Sequence, residues 1–169
     1  RAAGTAGGGV RVEAVGIRDR VRRGVESDPV VRQGLEAQHE RPEPTAADAV
    51  TGGARAVSGT IKAAAIVTYT TSGSTTYRAS RERPIAPVLG LTSNILTARR
   101  LVLAWGGHTL HTADIESFQQ MVDKAANIAR QEGLAEVGDP LVITAGVPFG
   151  TPGATNVLRL AWVPRAPLV

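Results

Sequence analysis

The sequence predicts an α/β fold, a three-layer αβα domain built on a mostly parallel sheet of about five strands. Two observations lead there. From residue 63 onward, short β-type runs alternate with helical stretches, which is the order that produces a parallel sheet covered by helices. Aromatic residues make up only 4% of a chain that is 43% hydrophobic, so Ala, Val, Leu and Ile must fill the interior, as suits helices lying close on a sheet. A length of 169 residues gives room for one main domain with a sizeable core and an appendage.

Residues 1–10 are rich in Gly and Ala, offer little area to bury and are expected to be mobile. Helices are predicted over 12–24 and 30–38. The second is bracketed by Asp28-Pro29 and Arg41-Pro42-Glu43-Pro44, since a residue before proline is biased away from helical angles. The latter bracket is the expected boundary between an N-terminal extension, 1–40, and the α/β domain, 41–169. Thr45 and Asp48 have capping-box-like spacing, with Ala46, Ala49, Val50 and Val57 marking one face of a helix that ends near Gly59. Gly52 and Gly53 weaken that helix, so packing must hold it. Strands over 63–70, 87–91 and 101–105 then alternate with helices over 75–83 and 94–100. Thr112 is placed to cap a helix over 113–131, where Ile115, Phe118, Val122, Ala125 and Ala129 recur at helical spacing and Asp114 and Glu116 favour the N-terminal dipole. Gly133 is a natural stop. The last strands, 141–145 and 156–163, flank a loop punctuated by Gly146, Pro148, Gly150, Pro152 and Gly153, a spacing that specifies a path for the backbone. No internal repeat is present.

Composition removes several function classes. With no cysteine, disulfides, thiol nucleophiles and cysteine-ligated metals are excluded. A net charge of +4, with Lys62 and Lys124 the only lysines and arginines that follow no single stripe, argues against a nucleic-acid binder. No apolar run approaches the roughly 20 residues that cross a bilayer, and no signal-peptide pattern opens the chain, so a cytoplasmic protein is expected. A chain beginning at Arg1 rather than Met is expected to be a fragment or a processed product.

The strongest ligand candidate is the run Thr70, Thr71, Ser72, Gly73, Ser74 and Thr75, between a predicted strand and helix. Amides at a helix start point outward, the dipole favours an anion there, and the hydroxyls can donate to phosphate oxygens. Ordinary helix capping explains the same residues, and the run lacks the lysine of a P-loop. Arg78, Arg81 and Arg83 lie nearby but equally suit a solvated helix face. His108, His111 and Asp114 are spaced three apart, which gathers ligands only on a helix, whereas Gly106-Gly107 suggests a loop; no metal site is assigned. Neither a G-x-G-x-x-G nor a G-x-S-x-G pattern occurs.

Three segments, in order, resemble one family. T-A-G-V-P-F-G-T-P-G-A-T-N over 144–156 resembles the closing segment of bacterial pyruvate kinases. Residues 65–91, AIVTYTTSGSTTYRASRERPIAPVLGL, are similar to the family's strand, hydroxyl loop, helix and R-P-x-A-P passage. Residues 97–106, TARRLVLAWG, fit its next helix and strand, so the likeness spans about 26–163. Ala2-Ala3-Gly4 and Val12-Glu13-Ala14-Val15 resemble the end of the catalytic barrel and its last helix, although Thr5 to Arg11 is longer and glycine-richer than the usual link.

The resemblance implies a C-terminal regulatory and oligomerisation domain, tetrameric in the family, attached to a barrel that transfers phosphate from phosphoenolpyruvate to ADP in glycolysis. It implies an effector site in which residues 70–75 hold a phosphate of a sugar phosphate or nucleotide, and Gly150, Thr151, Gly153 and Thr155 form a second loop. Thr71 and Ser74 stand where some fructose-bisphosphate-activated members carry basic residues, which counts against fructose 1,6-bisphosphate. Magnesium and potassium would serve the parent barrel; no catalytic residue, metal ligand or cofactor site is assigned to this chain. The alternative is a stand-alone module that binds a phosphorylated metabolite without catalysis.

Overall fold

The computed structural model describes residues 41–149, 151 and 154–165. The glycine-rich start and the helices expected over 12–24 and 30–38 lie outside the described residues. Four helices and five strands follow in chain order: α1 Ala46–Ile61, β1 Ala65–Tyr69, α2 Ser74–Arg81, β2 Val88–Thr92, α3 Ile95–Leu101, β3 Gly107–His111, α4 Phe118–Gln131, β4 Pro140–Gly146 and β5 Thr155–Trp162. They form one sheet of order β3-β2-β1-β4-β5, parallel except for β5, which runs antiparallel to β4. The expected three-layer α/β architecture is present.

Connection handedness explains where the helices lie. The chain steps outward from β1 to β2 to β3, then returns to the far side of β1 as β4. Right-handed crossovers keep helices on one face while the direction is constant and move the next helix to the other face when it reverses. Accordingly, α4 packs alone on one face, where Met121, Ala125, Ala126 and Ala129 meet Val67, Leu89, Leu91, Leu141 and Ile143. On the other face, Ala54 of α1 meets Ile66 and Val142, and Thr76 of α2 shares a 2.7 Å hydrogen bond with Thr68 of β1.

The two faces differ in chemistry. Across the α1–α2 face, one register row reads Thr109, Gly90, Thr68 and Thr144, all buried. Gly90 is required by this contact: a Cβ there would lie 3.1 Å from both Thr76 Oγ1 and Cγ2 and 3.3 Å from Thr109 Oγ1.

Thr45 caps α1, its hydroxyl accepting from the Asp48 amide at 3.2 Å. The Asp48 carboxylate does not close a box onto Thr45; it accepts the Glu43 amide at 2.6 Å. The buried face of α1 is Ala47, Asp48, Thr51, Ala54 and Ser58, not the predicted Ala46, Ala49 and Val50. Polar residues tolerate burial here because they are satisfied: Thr51 and Ser58 donate to backbone carbonyls of their own helix, and Asp48 meets arginines.

Two further expectations are corrected. The strand predicted over 101–105 is absent. Asn94 caps α3 by accepting from the Leu96 and Thr97 amides, and of the apolar run 101–105 only Leu101, fully buried, belongs to that helix while 102–105 turn toward β3. The strand is instead Gly107–His111, whose sparse apolar content reflects a position at the sheet edge. The helix predicted from 113 begins at Phe118, because Ser117 rather than Thr112 supplies the cap. Asp114 and Glu116 therefore precede the helix, and Lys124 fixes their segment by donating to the Ala113 and Asp114 carbonyls. No helix among the described residues is long and apolar enough to cross a membrane.

Asp48 is the most heavily engaged charge in the fold. Its side chain is 3% exposed and takes Arg81 Nη2 at 2.8 Å and Arg78 Nε at 3.0 Å. Burial works to raise this carboxyl, but the Arg81 hydrogen bond, the Glu43 amide and the two guanidinium charges outweigh it and hold the group below its ordinary value of 3.8. As pH falls, the unfolded chain therefore binds the proton first, and the stability contributed by Asp48 above that value is lost as pH drops through the lower folded value. Asp48→Asn should cost about 3 kcal/mol at pH 7, as loss of one partner of a buried pair does. Chemical denaturation across pH should show the gap between variant and wild type closing under acid conditions; a gap independent of pH would contradict this account.

Candidate functional site

At the point where strand order reverses, the carboxyl ends of β1 and β4 lie side by side while their chains depart in opposite directions. Open α/β sheets bind ligands at such switch points. A cleft opens here, and its lining includes Thr70, Thr71 and Thr75 from the β1–α2 segment and Thr151 and Thr155 from the β4–β5 segment. Sequence positions some 80 residues apart are joined directly: Thr75 and Thr155 share a buried hydrogen bond of 2.6 Å between their hydroxyls.

The predicted loop residues divide into two groups. Thr70 Oγ1 accepts the Gly73 amide at 2.9 Å, and Gly73 has φ +97°, where a Cβ would also press on Leu101 at 3.2 Å. Ser72 and Ser74 bond to each other at 3.2 Å and, like Gly73, lie outside the cleft lining. The loop thus places Thr70, Thr71 and Thr75 inward and uses Gly73 for its turn. Gly150 and Gly153 lie outside the described residues. Within this glycine-rich loop the backbone closes on itself at Gly146, where a Cβ would stand 2.6 Å from the Ala154 carbonyl oxygen. Asn156 braces the same loop, donating to the Val147 carbonyl at 2.7 Å and accepting its amide at 2.9 Å. Val147–Pro148 is a cis peptide bond.

Charge in the cleft is lopsided. Its described lining holds no lysine or arginine and one carboxylate, Asp114. Arg78 and Arg81 turn to Asp48, and Arg83 stacks on the Trp105 ring at 4.7 Å, so their guanidinium groups are engaged within the fold and none of them is in the described cleft lining. Arg100 approaches indirectly: it donates to Thr97 Oγ1 at 3.1 Å, and that hydroxyl donates to the Thr71 carbonyl at 2.9 Å. The cleft interior is about 40 Å³, room for roughly three waters or one small anion. A larger molecule would have to extend from its mouth.

Sequence reasoning missed Tyr69, Thr92, Ser93, Thr112 and Phe149 as lining residues. Thr92, Ser93 and Thr112 follow from the ends of β2 and β3, which were hidden while β3 was placed too early. Tyr69 donates to the Met121 carbonyl at 2.9 Å, and burial pushes its hydroxyl well above the ordinary tyrosine value. Phe149 meets Phe118 edge-on with centroids 5.4 Å apart, tying the loop to α4.

His108 and His111 stand on a strand, not a loop, so their odd spacing sends them to opposite faces. His108 meets Glu132 at 2.8 Å, and His111 Nε2 lies 3.1 Å from the Ser93 carbonyl oxygen.

The order of these elements, with a hydroxyl loop after β1 facing a glycine- and proline-rich loop after β4, matches a known family profile. The profile described as the pyruvate kinase alpha/beta domain aligns with residues 48–161. The chain belongs to the pyruvate kinase family. A pyruvate kinase of Methylorubrum extorquens is 44% identical over 95% of this chain and 34% of its own length. Pyruvate kinases of Agrobacterium vitis and Geobacillus stearothermophilus are 40% and 35% identical, each over 92% of the chain and over 33% and 27% of their own lengths. The chain thus spans about a third of these relatives.

Thr155→Val removes one partner of the buried hydroxyl pair and strands Thr75. The expected loss is about 2 kcal/mol, the penalty for an unsatisfied buried hydroxyl, and Thr75→Val/Thr155→Val should recover part of it. Urea unfolding of Thr155→Val, Thr75→Val and the double variant checks this; additive losses would show that the two hydroxyls do not interact.

Proposed function

We propose that this chain is the regulatory and oligomerisation domain of a pyruvate kinase, and that the β1–β4 cleft is its effector site. The convergence of Thr70, Thr71 and Thr75 with Thr151 and Thr155 at the switch point supports this reading. In it, one phosphate group sits against hydroxyls and the open amides of the α2 N-terminus. Asp114 accepts hydroxyl groups of the attached sugar or nucleoside. A cleft whose described lining holds no lysine or arginine favours a monophosphate over a bisphosphate, because a second phosphate would add charge with no described cation opposite to meet it.

The same reading places phosphoenolpyruvate-to-ADP transfer, with its magnesium and potassium, on a catalytic barrel in a cytoplasmic glycolytic enzyme. Effector binding acts on that barrel only by favouring one arrangement of the assembly over another. For assembly, β5 offers an edge strand carrying the exposed Leu160 and Trp162, a suitable contact for a second copy. A module that binds a phosphorylated metabolite without any barrel would use the same cleft.

Thermal unfolding with ribose 5-phosphate, glucose 6-phosphate, AMP and fructose 1,6-bisphosphate tests the site. At a hundredfold excess over Kd a true effector adds about 2.7 kcal/mol, a rise of several degrees, and the monophosphates should exceed the bisphosphate. No shift with any of the four, here or in the longer enzyme, would reduce residues 70–75 to helix capping. A coupled assay should find no magnesium-dependent pyruvate formation by the 169-residue chain; formation above background would overturn the assignment of chemistry to a separate barrel.

A further inference from the structure

We infer that helix α2 is a connecting rod that carries the state of the cleft to the polypeptide entering the domain at Glu43, with Asp48 as the positioning residue of the far joint. The inference rests on the effector reading above for its physiological meaning, but its mechanics stand on separate contacts.

Both ends of α2 are held by polar links. At the cleft end, the Thr75 hydroxyl is bonded to Thr155 at 2.6 Å. At the far end, Arg81 Nη2 and Arg78 Nε meet the same oxygen of Asp48 at 2.8 Å and 3.0 Å. The other Asp48 oxygen accepts the Glu43 amide at 2.6 Å. One buried carboxylate therefore ties α2 to the segment that leads into α1.

Between these joints, α2 meets the sheet through the 2.7 Å Thr76–Thr68 hydroxyl pair and meets α3 through Tyr77, whose hydroxyl donates to the Arg100 carbonyl at 3.1 Å; it sets no large apolar side chain into the sheet. Its buried residues are Thr75, Thr76, Ala79 and Ser80, which present small groups to Gly90 and the threonine row rather than large apolar knobs. A slide of the helix along its axis would forfeit little apolar burial. The far half also has slack in its hydrogen bonding: Ser80 Oγ and Arg81 Nε are buried and have no partner. By contrast, α4 buries Met121 and three alanines in the main core and is keyed in place. A short helix tied at both ends to polar partners moves as one piece and carries a displacement from one end to the other.

The test reads the Glu43 amide by NMR hydrogen exchange in the whole chain. Ribose 5-phosphate at saturation should change exchange at Glu43 by about tenfold, a common size for coupling between sites, while Asp48→Asn abolishes the response and leaves ligand affinity within about twofold. Thr155→Val, which disturbs the cleft without any ligand, should also alter exchange at Glu43 through the same rod. If ribose 5-phosphate does not bind, the effector reading suffers but the Thr155→Val arm still decides the mechanics. Unchanged Glu43 exchange in Thr155→Val overturns the inference, even where the ligand binds. Should Asp48→Asn fail to fold, Arg81→Gln replaces it, and a Glu43 response that survives Arg81→Gln also overturns the inference.

Discussion

The return of the chain behind the sheet, from β3 across to the far side of β1, is the constraint on which the rest of this domain depends. A right-handed crossover in that direction must put its helix on the opposite face, so α4 is separated from the other three helices and the sheet is covered on both sides. The same reversal brings β1 and β4 together as parallel neighbours, with Ile66 beside Val142 and Thr68 beside Thr144. Their carboxyl ends then meet with departing chains that diverge, and the cleft is the space left between them.

The two layers made by this reversal are held differently. Against α4 the sheet offers Val67, Leu89, Leu91 and Ile143, and burial of apolar area dominates. Against α2 it offers a row of threonines and a glycine, so contact depends on hydroxyl pairs and on the absence of a side chain at Gly90. The cleft draws on both: Tyr69, Leu91, Ile115, Ala145 and Phe149 of its lining pack in the α4-side core, while Thr75 and Thr155 are joined by a hydroxyl pair. Its geometry is therefore set by a hydrogen bond of defined length together with apolar packing.

Much of this order was legible in the sequence, and the errors have physical causes. Strands β1, β2, β4 and β5 and helix α2 fall within a few residues of their predicted bounds, because their apolar runs are punctuated by Gly, Pro and Ser signals. β3 was misplaced because an edge strand with one apolar side chain, Leu110, is weaker in composition than the LVLAW run before it, of which Leu101 ends α3 and the rest forms the turn into β3. The α1 face was misread because burial of Asp48 depends on arginines 30 and 33 residues away, which no local periodicity can show. Of the hydroxyl loop, Thr70, Thr71 and Thr75 line the cleft, whereas Ser72, Gly73 and Ser74 do not. Sequence could not reveal that Thr75 is already bonded to Thr155, nor that Arg78 and Arg81 serve a different joint.

Both tryptophans of the chain, Trp105 and Trp162, sit at the surface, 43% and 58% exposed. The described interior is built from aliphatic side chains, alanines and buried threonines, with no indole in it. Intrinsic fluorescence from this protein is thus dominated by wet indoles in the native state, and melting of the core changes their surroundings little. Light emission at long wavelength is consequently a poor gauge of folding here and a sensitive one for anything that covers β5 or disturbs the guanidinium of Arg83 lying over Trp105.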